Sequence, residues 1–133
     1  MNNNLLLEKN KVKIPCWKFG ADNEKLIKLV LLGEKRATTS LFSEYENDNE
    51  PLPKVGDRSI ILHDDNSTAC LIETEKVIIT EFVNVTKKMA FIEGEGDKSL
   101  EYYKKEHTRI FKLIDPNFNY KTKIVFEVFK VIE

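Results

Sequence analysis

Apolar and polar positions divide the chain into alternating helical and extended stretches. Leu26, Leu29 and Val30 make one stripe at helical spacing, which predicts a first helix over 22–33. Asp22 stands at its N-cap position and Gly33 where a C′ glycine belongs. Residues 36–42 (RATTSLF) read as a Thr-rich strand. Residues 43–56 read as a loop, with Pro51, Pro53 and Gly56 as breakers and Glu44, Glu46, Asp48 and Glu50 as a solvated acidic run. A strand over 57–63, a hairpin turn at Asp64-Asp65-Asn66-Ser67 and a return strand over 68–82, long enough to bend or bulge, follow. Residues 86–92 read as a short helix and EGEGD (93–97) as a loop. Leu100, Tyr103, His107, Ile110, Phe111 and Ile114 share one face of a helix over 99–114. The nearly continuous apolar run from Lys123 to Ile132 predicts a central strand. Residues 1–14 form a loose lead-in and 15–133 one domain. Long β segments with helices set aside give an α+β class, with a curled or barrel-like sheet.

Composition narrows the function. At 133 residues the chain suits a single domain. No apolar run approaches the ~20 residues of a spanning helix, so no membrane partner is expected. The start has no basic region before its three leucines, so it is not expected to be a secretory signal. Cys16 and Cys70 form no CxxC pattern, so neither a disulfide scaffold nor a metal or cofactor is expected. A reduced, cytoplasmic protein is the default. Twenty-one basic residues face 22 acidic ones, leaving a net charge of −1. Arg36, Arg58 and Arg109 are the only arginines. Broad gripping of duplex DNA through its phosphates is therefore disfavoured, whereas one nucleoside or a short single strand in a pocket is not.

The chemistry-bearing residues fall in three places. GEKRATTS (33–40) sets Lys35 beside hydroxyls just after a helix end. A partly desolvated lysine can be neutral and take a hydroxyl proton, which makes Lys35 and Thr38 a nucleophile pair. In a straight strand these two would point to opposite faces, so the pairing requires the chain to be turning at Lys35. The plain alternative is a surface lysine ahead of a strand. Because Lys35 follows the helix-ending glycine, Lys35→Ala is expected to abolish function while costing less than about 1 kcal/mol of stability. EGEGD places Glu93, Glu95 and Asp97 between glycines that let backbone approach a ligand. Crowded carboxylates suit acid–base work; the alternative is that Asp97 or Ser99 caps the next helix. Trp17 and Phe19 precede Gly20 and could stack a nucleobase or simply fill the core. His107, on the apolar face of the long helix, reads as a packing residue.

WKFG (17–20), GEKRATTSLFSEYE (33–46), PLPKVGDRSIIL (51–62), CLIET (70–74), EGEGDKSLEYYKKEH (93–107) and VFEVFKVI (125–132) together resemble an ASCH-domain protein, over most of the chain from Pro15 onward. The resemblance implies a PUA-like fold, a small mixed β-barrel with peripheral helices. It implies association with RNA. It also points to the larger bacterial branch related to the N4-acetylcytidine amidohydrolases, whose catalytic group is a Lys, a Thr and a Glu, with the Lys and Thr in the motif GxKxxTxR and the Glu shortly before the long helix; another branch is reported to cleave RNA. Gly33, Lys35 and Thr38 match that motif, and Ser40 stands where its arginine belongs. Carried over, the resemblance makes Lys35, Thr38 and Glu95 the catalytic candidates, Glu93 being the second match for the glutamate. Trp17, Phe19, Arg36, Ser40, Tyr45, Glu93 and Asp97 become the substrate-binding candidates. The expectation is a cytoplasmic protein that binds a nucleoside or short single-stranded RNA between the GEKRATTS and EGEGD segments. The enzymatic version hydrolyses it, by amide hydrolysis of acetylated cytidine or by RNA cleavage. The alternative is a non-catalytic RNA-binding or small-molecule-sensing module using the same cleft.

Overall fold

A computed structural model describes residues 14–133, so most of the 1–14 lead-in lies outside the described residues. Five strands form one sheet: β1 (Cys16–Trp17), β2 (Ala37–Leu41), β3 (Arg58–Leu62), β4 (Thr68–Glu81) and β5 (Lys123–Val131). Their spatial order is β1-β3-β4-β5-β2, with β1 parallel to β3 and the other pairs antiparallel. The helices are α1 (Asn23–Leu31), α2 (Phe42–Asn47), α3 (Lys87–Glu93) and α4 (Leu100–Ile114), with one 3-10 turn at Phe82–Asn84. The class is α+β.

The sheet is bent rather than closed into a barrel, and β1 and β2 are its edges. The bend comes from β4. Its first half pairs with β3 and its second half with β5, and the register slips between Thr74 and Lys76. Contacts from α3 and Lys35 cover the start of the outer β2 edge. Arg36 N–H donates to Ile92 O at the end of α3, and Lys35 Nζ donates to Ala37 O at 2.7 Å.

Residues directly opposite in a ladder share a face. One face therefore carries Ala37, Thr39, Ile78, Ile124, Phe126 and Val128. It packs against Met89 and Ala90 of α3 and Tyr103 and Phe111 of α4. The other face carries Thr38, Ser40, Val77, Val125 and Glu127, continuing to Phe129. There Phe129 packs with Ile72, Cys70 and Ile61 against Ile27 and Val30 of α1, with Trp17 and Phe19 alongside.

Two local expectations change. The acidic stretch 43–56 is not all loop, because its first residues form α2. Phe42 and Tyr45, at i and i+3, turn one face of that helix toward the sheet while Glu46 and Asn47 stay exposed, and no proline intervenes before Pro51. Asp22 precedes α1 in a left-handed conformation and its side chain caps nothing. Asn23 does the anchoring instead. It accepts from Phe19 N–H at 2.8 Å and donates to Leu62 O at 2.9 Å and Asp64 Oδ1 at 3.0 Å. The helix thus ties the WKF segment to β3.

Candidate functional site

Helix α1 ends at Gly33, whose positive φ of 78° reverses the chain. Glu34 and Lys35 N–H both return to Leu29 O, so the backbone is still turning when it reaches Lys35. The side chain is carried inward and is 1% exposed. The expectation of a surface lysine gives way here.

Facing it is the EGEGD segment. Gly94 ends α3 with φ 78°, and a Cβ there would fall 1.9 Å from Glu34 O. Only glycine lets the two backbones come this close. The contact swings Glu95 over Lys35: Oε2 lies 2.7 Å from Nζ, and the glutamate side chain keeps 17% of its surface open. Lys35 Nζ also lies 5.4 Å from the centroid of the Phe19 ring, which meets Trp17 edge-to-face at 5.1 Å. The Lys35 amine thus donates to a carboxylate and to a carbonyl.

Beneath this pair lies a buried polar chain. Thr39 Oγ1 donates to Glu93 Oε2 at 2.6 Å, so Tyr103 O–H, 2.7 Å away, donates to Thr39. His107 Nε2 lies 2.9 Å from the Glu93 carboxylate and donates to it. His107 Nδ1 is buried with no partner. Glu93, only 2% exposed, is pushed up by burial, but the Lys35 charge, His107 and Thr39 outweigh that and hold it below the ordinary carboxylate range. Burial drives the Tyr103 phenol far up, and the Glu93 charge adds to it.

The structure thus brings Lys35, Glu95 and Glu93 together, with Phe19 and Trp17 beside them. Thr38 is not among Lys35's bonds. It sits on the opposite sheet face from Thr39, across from Glu127, and Ser40 shares its face. Tyr45 leans in from α2; burial pushes its phenol up and contact with Ser40 pulls it back. Arg36 is exposed. Asp97 is exposed and accepts from Ser99 N–H at 2.9 Å, while Ser99 caps α4 through Tyr102 N–H. Thr39, Tyr103, His107 and Glu127 escaped the motif reading. The first three belong to apolar-periodic or Thr-rich runs, and Glu127 interrupts an apolar strand, which was its signal.

Comparison with known proteins agrees with this architecture. An ASCH domain from Lactobacillus crispatus JV V101 superposes with TM-score 0.81 at 31% identity, over 87% of this chain and 78% of that one. Protein EF3133 from Enterococcus faecalis V583 gives 0.81 at 32%, over 92% and 78%. The hypothetical protein PH0355, at 19% identity and TM-score 0.58, shares the fold. No match is found among curated proteins. The family description "ASCH domain" fits residues 15–133, which include every residue named above for the site; the chain belongs to the ASCH domain family.

Proposed function

We propose that this protein binds a nucleoside or short single-stranded RNA in the cleft edged by Lys35 and Glu95, floored by Thr38 and Ser40 and walled by Trp17 and Phe19. The ASCH family is one suggested to bind RNA. The observation that carries the reading is the fully buried Lys35 against a Glu95 that remains partly open. Desolvating such a pair does not repay itself in stability, so a buried lysine held against a part-open carboxylate favours a functional role. The open part of the Glu95 carboxylate suits a donor group of the ligand, and Phe19 and Trp17 suit a base face.

The 2.7 Å contact also favours a hydrolytic version, because it is a ready proton path. Lys35 would pass one proton to Glu95 and, now neutral, take the Thr38 hydroxyl proton. Thr38 Oγ1 would attack the acyl carbon, Glu95 would protonate the leaving amine, and water would then release the acyl group. This version requires Lys35 to swing from Ala37 O toward Thr38.

A nitrogen-15 NMR titration with cytidine, N4-acetylcytidine and a short oligoribonucleotide, with acetate followed in the same samples, tests both versions. Saturable shifts around Lys35 that vanish in Glu95→Gln support the site. Acetate release would add the hydrolytic step. Absence of saturable shifts with all three ligands overturns the proposal.

A further inference from the structure

Glu127 is the polar interruption in the most apolar strand of the protein, and it sits where that strand is central, between β2 and β4. Its cross-strand neighbours on one face are Thr38 on β2 and Val77 on β4. Thr74 Oγ1 donates to its Oε2. Tyr45, held over the same face from α2, senses the Glu127 charge. Among the described residues no lysine, arginine or histidine pairs with it, unlike Glu93, which has His107 and the Lys35 charge. This half-buried carboxyl has no cation, Thr74 as its one side-chain donor, Thr38 as its cross-strand neighbour and Tyr45 over the same face, so it keeps hydrogen-bonding capacity that these contacts do not use.

We infer that Glu127, together with Thr38 and Tyr45, is the seat for the uncharged edge of the ligand's base. This rests on the cleft proposed above and adds an orientation: the base goes in first, toward the sheet, and the phosphate stays out. The complementarity is chemical. Burial raises the Glu127 carboxyl above the ordinary carboxylate range, and the negative charge of Asp57 adds to this while Thr74 opposes it. A protonated carboxyl offers one donor beside one acceptor, the pattern that matches the adjacent donor and acceptor of a nucleobase or amide edge. A phosphate offers acceptors alone, and this surface offers it no cation. A cavity of about 520 Å³ that Tyr45 also lines is edged by Glu46 and Glu50, which equally disfavour phosphate.

The charged and titratable groups around Glu127 are Asp57 from the loop ahead of β3 and Tyr45 from α2, with Glu44 and Glu50 beyond Tyr45 and the Lys35–Glu95 pair at the β2 edge. Glutamine copies the donor–acceptor pattern of the protonated acid and cannot ionise, which separates Glu127 from those neighbours.

The test is calorimetric titration of cytidine into wild type, Glu127→Gln and Glu127→Ala from mildly acid to mildly alkaline pH, with inorganic phosphate as competitor. Wild-type affinity is expected to fall as pH rises. Glu127→Gln should bind with a flat profile, Glu127→Ala should bind about tenfold more weakly, and phosphate should not compete. If Glu127→Gln keeps the wild-type pH slope, if Glu127→Ala binds as wild type does, or if phosphate displaces cytidine, the inference falls while the cleft stands. If wild type binds no cytidine while the oligoribonucleotide still gives shifts around Lys35, the inference alone falls. If neither binds, both fall. Thermal melts of the glutamine variant, which keeps the Thr74 contact, guard against loss of fold.

Discussion

Lys35 shows how far one side chain can depart from what its position suggests. A residue after a helix-ending glycine is ordinarily solvated, and its removal is ordinarily cheap. Here it is among the most deeply buried side chains, and both Glu95 and Glu93 depend on its charge. Lys35→Ala is therefore expected to destabilise the protein by about 3 kcal/mol in chemical denaturation, because it leaves carboxylates without their cation. A loss below about 1 kcal/mol would mean that the pair is solvated in solution. Glu93 makes the complementary prediction. Its folded-state pKa lies below its unfolded value, so its stabilisation is present above the unfolded carboxylate range, near about pH 4.3, and is lost as pH falls through the folded value. Glu93→Gln should therefore flatten the acid limb of a stability–pH curve; an unchanged limb would place the acid sensitivity in other carboxylates.

At the scale of elements, the geometry of the site depends on two turns more than on any helix. Gly94→Ala should cost about 3 kcal/mol or more, since a Cβ would strike Glu34 O and the backbone would be held at positive φ. A melt within a degree or two of wild type would show that the loop can retreat from Lys35. Gly94 also explains what was readable in advance. Periodicity and caps placed α1, α4, the β3–β4 hairpin and β5, because each buries a continuous apolar face. The turn at Gly33 and the nearness of EGEGD to Lys35 followed from the glycines and the family motif. The side-chain partners did not follow. Whether Lys35 meets Thr38 or Glu95, and whether Thr38 or Thr39 meets Glu93, depends on strand parity and on where a turn becomes a strand; one residue of difference exchanges the faces. α2 was hidden for a related reason: its charges read as loop, while the contact of Tyr45 with the sheet is a tertiary fact.

For the whole molecule, charge balance makes its own prediction. With a net charge of −1 and exposed acids at Glu46 and Asp48, random duplex DNA should bind negligibly at physiological salt. Tight, steeply salt-dependent retention in a filter assay would contradict this. No helix among the described residues is long and apolar enough to cross a membrane. The strand order carries a consequence in time. β5 is the last of the five to be synthesised, yet it lies between β4 and β2, and among the described residues it is the only strand partner of β2. While the chain emerges, β2 therefore waits through the synthesis of more than half the protein before its ladder exists. A nascent chain stalled just short of Lys123 should be digested readily by protease throughout β2, and chains carrying β5 clear of the ribosome should resist. Maturation of the proposed cleft, whose floor would lie on that β2–β5 seam, becomes one of the final events in the birth of the molecule.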